Sequence, residues 1–263
     1  MAPVGIRCPE HSGRPLGVQR VTHGVRRASF EGVGARVTRT LIALNVAVYV
    51  AELATGGGVN GVGSKIYQEG ALIARGIKFH GLLLPAPKGL HIPHQLEAGV
   101  AYGDWWRLLS AAFLHYGPFH LLMNMFALYW FGSLLEQRIG SGRFLLLYVA
   151  AGLAGSAGAL IAQPNAFTAG ASGAIFGLAG ALLVMERSGA IDTGGQLLMI
   201  LILNLVITFQ YRDSISIGGH VGGLIGGVVA MVLLLPVRRS APLSLAILVG
   251  IAAASVVVAY AVV

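Results

Sequence analysis

The stretch Gly170-Ala171-Ser172-Gly173-Ala174-Ile175-Phe176-Gly177 decides how this chain folds. One hydroxyl group stands here among small and apolar residues, with almost no charge nearby. Gly173, Gly177 and Ala181 recur at every fourth position, so they share one face of a helix. Small residues at this spacing allow two helices in lipid to approach closely. The stretch therefore predicts a membrane helix that packs tightly against a partner and carries a serine near its start.

The composition of the whole chain supports a membrane protein. Of its 263 residues, 56% are hydrophobic and 11% are charged, and the mean hydropathy is +0.76. Soluble domains carry about 25% charged residues. The formal charge of +8 does not indicate nucleic-acid binding, because the basic residues lie in the N-terminal tail and in loops and form no nucleic-acid motif. We predict an all-α polytopic membrane protein.

Apolar runs of about 20 residues, the length that a bilayer requires, occur seven times. A second glycine stripe, formed by Gly219, Gly223 and Gly227, lies in the sixth run and matches the first. The predicted spans are residues 38–54, 108–134, 143–163, 171–187, 195–210, 217–236 and 242–262.

Charge predicts the orientation of these spans. The tail before and at the start of the first span contains seven arginines, which favours a cytoplasmic N-terminus, and the short loops then alternate so that the C-terminus is external. We divide the chain into a basic cytoplasmic tail (1–36), a six-span core (37–237), and a short basic loop with an extra C-terminal helix (238–263). Abundant Ala, Gly, Val and Arg suit a GC-rich bacterial genome and hence the plasma membrane.

The single cysteine, Cys8, excludes an intramolecular disulfide and any multi-cysteine metal cluster. Cys8, His11 and His23 together could bind a metal ion, although a solvated tail explains them better. We expect neither a metal nor a cofactor.

Three polar sets lie at similar depth on the outer side of the predicted bundle: His115, His120 and Asn124 in the second span, Ser172 in the fourth, and His220 in the sixth. Polar side chains inside a membrane are costly unless they pair or perform chemistry. A serine hydroxyl becomes nucleophilic when a neighbouring base accepts its proton, and His220 is the natural base. The start of the Ser172 helix, with His120 and Asn124 one turn apart, could stabilise an oxyanion.

Each set also has another interpretation. Ser172 alone could cap a helix, His220 could relay protons or be satisfied in the interior, and the set of His115, His120 and Asn124 could bind a metal or a substrate. No acidic residue is evident in the spans near these groups, so the sequence predicts a dyad rather than a triad. Zinc and aspartyl protease chemistry fit poorly, since there is no His-Glu-x-x-His and the three aspartates lie in loops or at span ends.

At these residues the chain resembles the rhomboid intramembrane serine proteases. The matching motifs are Trp106-Arg107, His115-x4-His120-x3-Asn124, Gly170-Ala171-Ser172-Gly173 and Gly219-His220-x2-Gly223-x3-Gly227. The resemblance covers residues 38–236, and the seventh span suggests the six-plus-one arrangement of many members.

The resemblance implies a serine endopeptidase that cleaves transmembrane substrates near the outer membrane face. Ser172 would be the nucleophile and His220 the base, and His120, Asn124 and the Ser172 amide would form the oxyanion hole. Trp106 and Arg107 would anchor the first loop in the outer leaflet.

The family resemblance also bears on two aromatic residues. Phe176 stands where several relatives have a tyrosine, and we expect its ring to stack on His220. The fifth span, which contains Phe209, would be a lateral gate.

Two other functions are compatible with a polytopic chain of this kind. A rhomboid-like non-protease would bind membrane proteins without needing the Ser172 hydroxyl. A transporter using His220 and Asn124 would require internal repeats or charged residues at mid-membrane, and we find neither. The expected partners are transmembrane protein substrates and the lipid bilayer.

Overall fold

The computed structural model describes residues 35–210 and 215–263. The candidate metal ligands Cys8, His11 and His23 and the loop residues Arg212 and Asp213 lie outside the described residues. The elements in chain order are α1 Arg36–Ala54, α2 Lys65–Gly70, β1 Gly76–Phe79, β2 Leu82–Pro85, β3 Glu97–Ala98, α3 Arg107–Ser110, α4 Pro118–Ala127, α5 Ser133–Ile139, α6 Ser141–Ala162, α7 Ser172–Arg187, α8 Gln196–Gln210, α9 Ile217–Val237 and α10 Ala241–Val262.

The fold is an all-α bundle of a polytopic membrane protein. Among the described residues, four helices are long and apolar enough to cross a membrane: α1, α6, α9 and α10. Helix α8 is equally apolar but shorter. The count of seven spans stays a prediction.

Helices α6, α7 and α9 pack against one another at the centre of the bundle, and α10 packs on the outside of α6. The main core includes Leu128, Phe144, Leu178 and Met231, all with at most 1% of their surface exposed. Helix α6 is the most enclosed of the long helices. The two helices that begin with the polar sets, α7 and α9, therefore meet in the middle of the protein.

The second predicted span, 108–134, is wrong at its start. The chain there forms the short helix α3 and a 3-10 turn and then breaks, because Gly117 has φ +88° and Pro118 occupies the first position of α4. Proline is favoured at that position because its missing N–H has no helical acceptor anyway. From Pro118 the helix continues to Ile139 through one π-helical turn at Leu128–Gly132.

The long first loop, 55–107, has structure of its own. It contains α2 and a three-stranded antiparallel sheet in the order β2-β1-β3, with Gly76 opposite Pro85 and Phe79 opposite Leu82. The sequence analysis assigned no elements to this loop, since its strands are short and lack a regular apolar alternation.

Helix α1 begins without a side-chain cap of its own, because Ala35 occupies the N-cap position. The carboxylate of Glu136, on α5, takes that place. It accepts hydrogen bonds from the Val37 N–H at 2.9 Å, the Thr38 N–H at 2.8 Å and the Thr38 hydroxyl at 2.8 Å. The Ser141 hydroxyl donates a fourth bond at 2.6 Å. Glu136 thus satisfies two orphan N–H groups at the start of α1, accepts a hydroxyl at the start of α6, and ties three helices together.

We expect Glu136→Ala to lower the free energy of unfolding by about 3 kcal/mol, because it leaves the two buried donors of Thr38 and the half-buried Val37 N–H without an acceptor. Thermal unfolding in detergent measures this loss. Glu186→Ala is the matched control, since Glu186 also accepts backbone N–H bonds, from Thr193 and Gly195, but at a less buried site. If the two variants were equally stable, the hydrogen bonds to Glu136 would contribute little to the free energy of unfolding.

Candidate active site

Ser172 and His220 lie side by side at the starts of two adjacent helices. Ser172 is the first residue of α7 and His220 lies in the first turn of α9. The Oγ of Ser172 is 2.8 Å from the Nε2 of His220, within hydrogen-bond distance. His220 has only 7% of its surface exposed. The pair therefore sits in a water-poor setting where a hydroxyl and an imidazole have each other as partners.

Glycines bring these two helices into backbone contact. A Cβ atom placed on Gly223 would lie 1.9 Å from the carbonyl oxygen of Gly173, and one on Gly227 would lie 1.9 Å from that of Gly177. No side chain fits at either position. The two predicted stripes thus face each other, and their contact sets the separation of Ser172 and His220.

His120 and Asn124 face the same place from α4. The His120 ring lies against Gly170, which has a φ of +130°. A Cβ atom placed on Gly170 would lie 2.7 Å from the ring, so no side chain fits there. The backbone N–H of Tyr116 donates to the Nδ1 of His120 at 3.2 Å. Because Nδ1 is the acceptor, the proton of a neutral ring is on Nε2, which faces Gly170 and the serine. One N–H of the Asn124 amide donates to the carbonyl of His120 at 3.0 Å.

A cavity of about 660 Å³ opens next to these groups. His120, Asn124, Ser172 and His220 all line it, and apolar residues of α4, α7 and α8 form part of the remaining wall. A chain segment that entered the cavity would therefore meet the polar groups at one place and apolar surface elsewhere.

The ring of Phe176 stacks on His220, with ring centres 4.1 Å apart and planes 17° from parallel. Phe176 is one helical turn after Ser172, so the serine and the aromatic ring contact the same imidazole from one helix. The stacking limits the orientations that the imidazole can adopt.

His115 lies behind the site rather than in it. It is wholly buried, its ring centre is 5.2 Å from that of His120, and its backbone N–H donates to a carboxylate oxygen of Glu52 at 3.3 Å. It supports His120 from the back. Glu52, near the end of α1, was not predicted from the sequence, because it lies in the first span, which carries none of the three polar sets.

A chain of hydroxyl groups supports the same region. The Tyr67 and Tyr116 hydroxyls are 2.7 Å apart, and that of Tyr116 donates to the carbonyl of Phe167 at 3.1 Å. Burial raises the pKa of Tyr67, so this hydroxyl stays protonated. The chain joins α2 in the first loop to the segment that precedes Ser172.

Trp106 and Arg107 do not reach the site, and they differ from each other. Trp106 is 40% exposed, and its indole N–H donates to the carbonyl of Glu69. Arg107 is wholly buried and donates to Asp104 and to the carbonyls of Gln68 and Ala71. The expectation that Arg107 anchors the loop in lipid is therefore corrected: it fastens the loop internally.

Thr208 of α8 is the second residue that the sequence analysis missed. Its hydroxyl is 2.7 Å from the Nδ1 of His220, on the side of the ring opposite to Ser172. A threonine in an apolar helix is an ordinary feature, so no sequence signal marked it.

Comparison with known proteins places this chain in a family. The family model of the Rhomboid domain matches residues 102–237, just over half of the chain. The chain is 43% identical over 127 residues to rhomboid protease GluP of Bacillus subtilis, a match that covers 47% of this chain and 25% of GluP. It is 38% identical over 119 residues to YdcA of the same bacterium, covering 44% of this chain and 60% of YdcA.

A plant relative matches over a longer stretch. RHOMBOID-like protein 5 of Arabidopsis thaliana is 37% identical over 164 residues, which are 57% of this chain and 52% of that protein. In all three relatives the matched region is less than two thirds of the protein.

We expect Gly227→Ala to separate α7 from α9, because the added methyl group would overlap the carbonyl of Gly177. Overpacking of this kind costs about 1–3 kcal/mol, which thermal unfolding in detergent measures. Gly250→Ala in α10 is the control, since nothing lies within 4 Å of the added atom. Unchanged unfolding of Gly227→Ala would contradict the backbone contact.

Proposed function

The chain belongs to the rhomboid family, and we propose that it hydrolyses peptide bonds of transmembrane proteins through Ser172 and His220. The observation that carries the proposal is the 2.8 Å contact between the Ser172 Oγ and the His220 Nε2 at the edge of a largely apolar cavity. The names of GluP and of its relatives support intramembrane proteolysis at the level of the family.

His220 is the general base in this proposal. As the Ser172 Oγ attacks the carbonyl carbon of the substrate, its proton passes to the His220 Nε2, and the carbonyl oxygen becomes an oxyanion. The imidazolium then gives that proton to the leaving amine as the peptide C–N bond breaks. A water molecule attacks the resulting ester, again with His220 as the base, and releases the new carboxyl group and the serine.

The oxyanion needs donors aimed at it, and three groups are suitable. The backbone N–H of Ser172 is free of a helical acceptor because it opens α7. The Nε2–H of His120 is held toward the site by the bond from the Tyr116 N–H to Nδ1. Asn124 has a second amide N–H besides the one that bonds to the His120 carbonyl. Such donors lower the barrier most where water is scarce.

We expect Ser172→Ala to abolish cleavage of a model transmembrane substrate in detergent and labelling by a fluorophosphonate, because both reactions need the Oγ. His220→Ala should do the same, because the hydroxyl loses its base. Ser255→Ala is the matched control: Ser255 is also a mostly buried helical serine, but it bonds to the Ile251 carbonyl of its own helix, α10.

Cleavage by Ser172→Ala would overturn the serine mechanism. A folded wild-type protein that binds transmembrane segments but neither cleaves nor labels would favour the non-protease interpretation instead.

We further propose that the site faces the outside of the plasma membrane and that the N-terminus is cytoplasmic, as the arginine-rich tail favours. Cys8, as the single cysteine, allows a direct test. In intact cells a membrane-impermeant maleimide should leave Cys8 unlabelled. It should label Asn165→Cys in a Cys8→Ser background, because residue 165 is exposed in the loop before Ser172. Labelling of Cys8 but not of a cysteine at position 165 would show that the topology is the opposite of the one proposed.

A further inference from the structure

Thr208 is a buried polar residue on a helix whose other faces are mostly exposed and apolar. Only 1% of its surface is exposed, whereas Val206, Ile207 and Phe209 beside it are 41–58% exposed. Its hydroxyl has two close neighbours: the carbonyl oxygen of Asn204 in the same helix at 2.8 Å, and the Nδ1 of His220 at 2.7 Å.

The two contacts of this hydroxyl determine where the protons are. A carbonyl oxygen can only accept, so the 2.8 Å contact with Asn204 takes the single hydroxyl proton of Thr208. If that proton pointed to His220 instead, two oxygen lone pairs would face each other at 2.8 Å. The hydroxyl oxygen therefore accepts from the His220 ring, and the proton of the neutral ring is on Nδ1.

This arrangement determines what the other ring nitrogen can do. With the proton on Nδ1, the Nε2 of His220 has a free lone pair directed at Ser172, which is 2.8 Å away. The opposite tautomer would place a proton between Nε2 and the serine and leave no base for the hydroxyl. A carboxylate has the corresponding position in the Ser-His-Asp triad. Here the acceptor is neutral, and it belongs to α8, whose apolar residues also line the cavity.

We infer that Thr208 is a positioning residue, which holds the catalytic tautomer of His220 from α8; this inference rests on the proposed function. Other helical hydroxyls in the structure show what an ordinary one does. Those of Thr40 and Ser255 bond to a carbonyl one turn earlier, at Arg36 and Ile251. Thr208 makes that same bond and in addition contacts the imidazole.

We expect Thr208→Val, which keeps the shape but removes the acceptor, to lower kcat for a model transmembrane substrate about tenfold and to change KM less than about twofold. The loss is smaller than that of a triad carboxylate because a hydroxyl carries no charge. Thr208→Ser should restore kcat to within about threefold of wild type, since it keeps the oxygen. Thr40→Val, which removes a helical hydroxyl far from His220, should match wild type.

Nitrogen NMR of ¹⁵N-histidine protein in detergent reads the tautomer directly, with the His220 signals assigned by their absence in His220→Ala. We expect a protonated Nδ1 in the wild type and a mixture of tautomers in Thr208→Val. A protonated Nε2 in the wild type overturns the inference even if Thr208→Val fails to fold.

The two proposals fail in different ways. A wild type that cleaves and labels, with Thr208→Val equal to it in kcat, refutes the role of Thr208 alone. A folded wild type that neither cleaves nor labels refutes the proposed function, and the NMR experiment still decides the tautomer.

Discussion

Backbone contact between α7 and α9 is the constraint on which the rest of the structure depends. Gly223 lies against the carbonyl of Gly173, at a distance that no side chain would allow. Ser172 directly precedes one of these glycines, and His220 is one turn before the other. The hydrogen bond between the two side chains is therefore a consequence of how closely two helices can approach, and it needs no long or flexible side chain to form.

Polar groups in the interior are costly unless they find partners within the protein. Glu136 accepts the Thr38 N–H at the start of α1 and the Ser141 hydroxyl at the start of α6. Arg107 donates hydrogen bonds to backbone carbonyls and to Asp104 inside the first loop. His120 receives the Tyr116 N–H, and this bond fixes which of its nitrogens can donate. The hydrogen-bond partners that stabilise each group in the interior also determine its protonation and orientation.

The sequence predicted the parts of the site that depend on local pattern. The glycine stripes repeat every four residues along α7 and α9. The contact between Ser172 and His220 could therefore be predicted from this spacing. The break at Gly117 was missed although Gly117-Pro118 is a dipeptide that marks turns, because the apolar residues on both sides of it were assigned to one span. Glu52 and Thr208 reach the site by tertiary packing, and neither lies in a pattern that distinguishes it from ordinary helical residues. The buried state of Arg107 likewise depends on how the first loop folds back.

The π-helical turn at Leu128–Gly132 has a consequence for the history of the chain. It adds one residue to the helix between Asn124, which faces the cavity, and Glu136, which faces α1. An α-helix turns about 100° per residue, so a chain one residue shorter here could satisfy only one of these two directions. What natural selection has to preserve in this segment is first of all its length. The loss of a single codon would turn either Asn124 or Glu136 away from its partner.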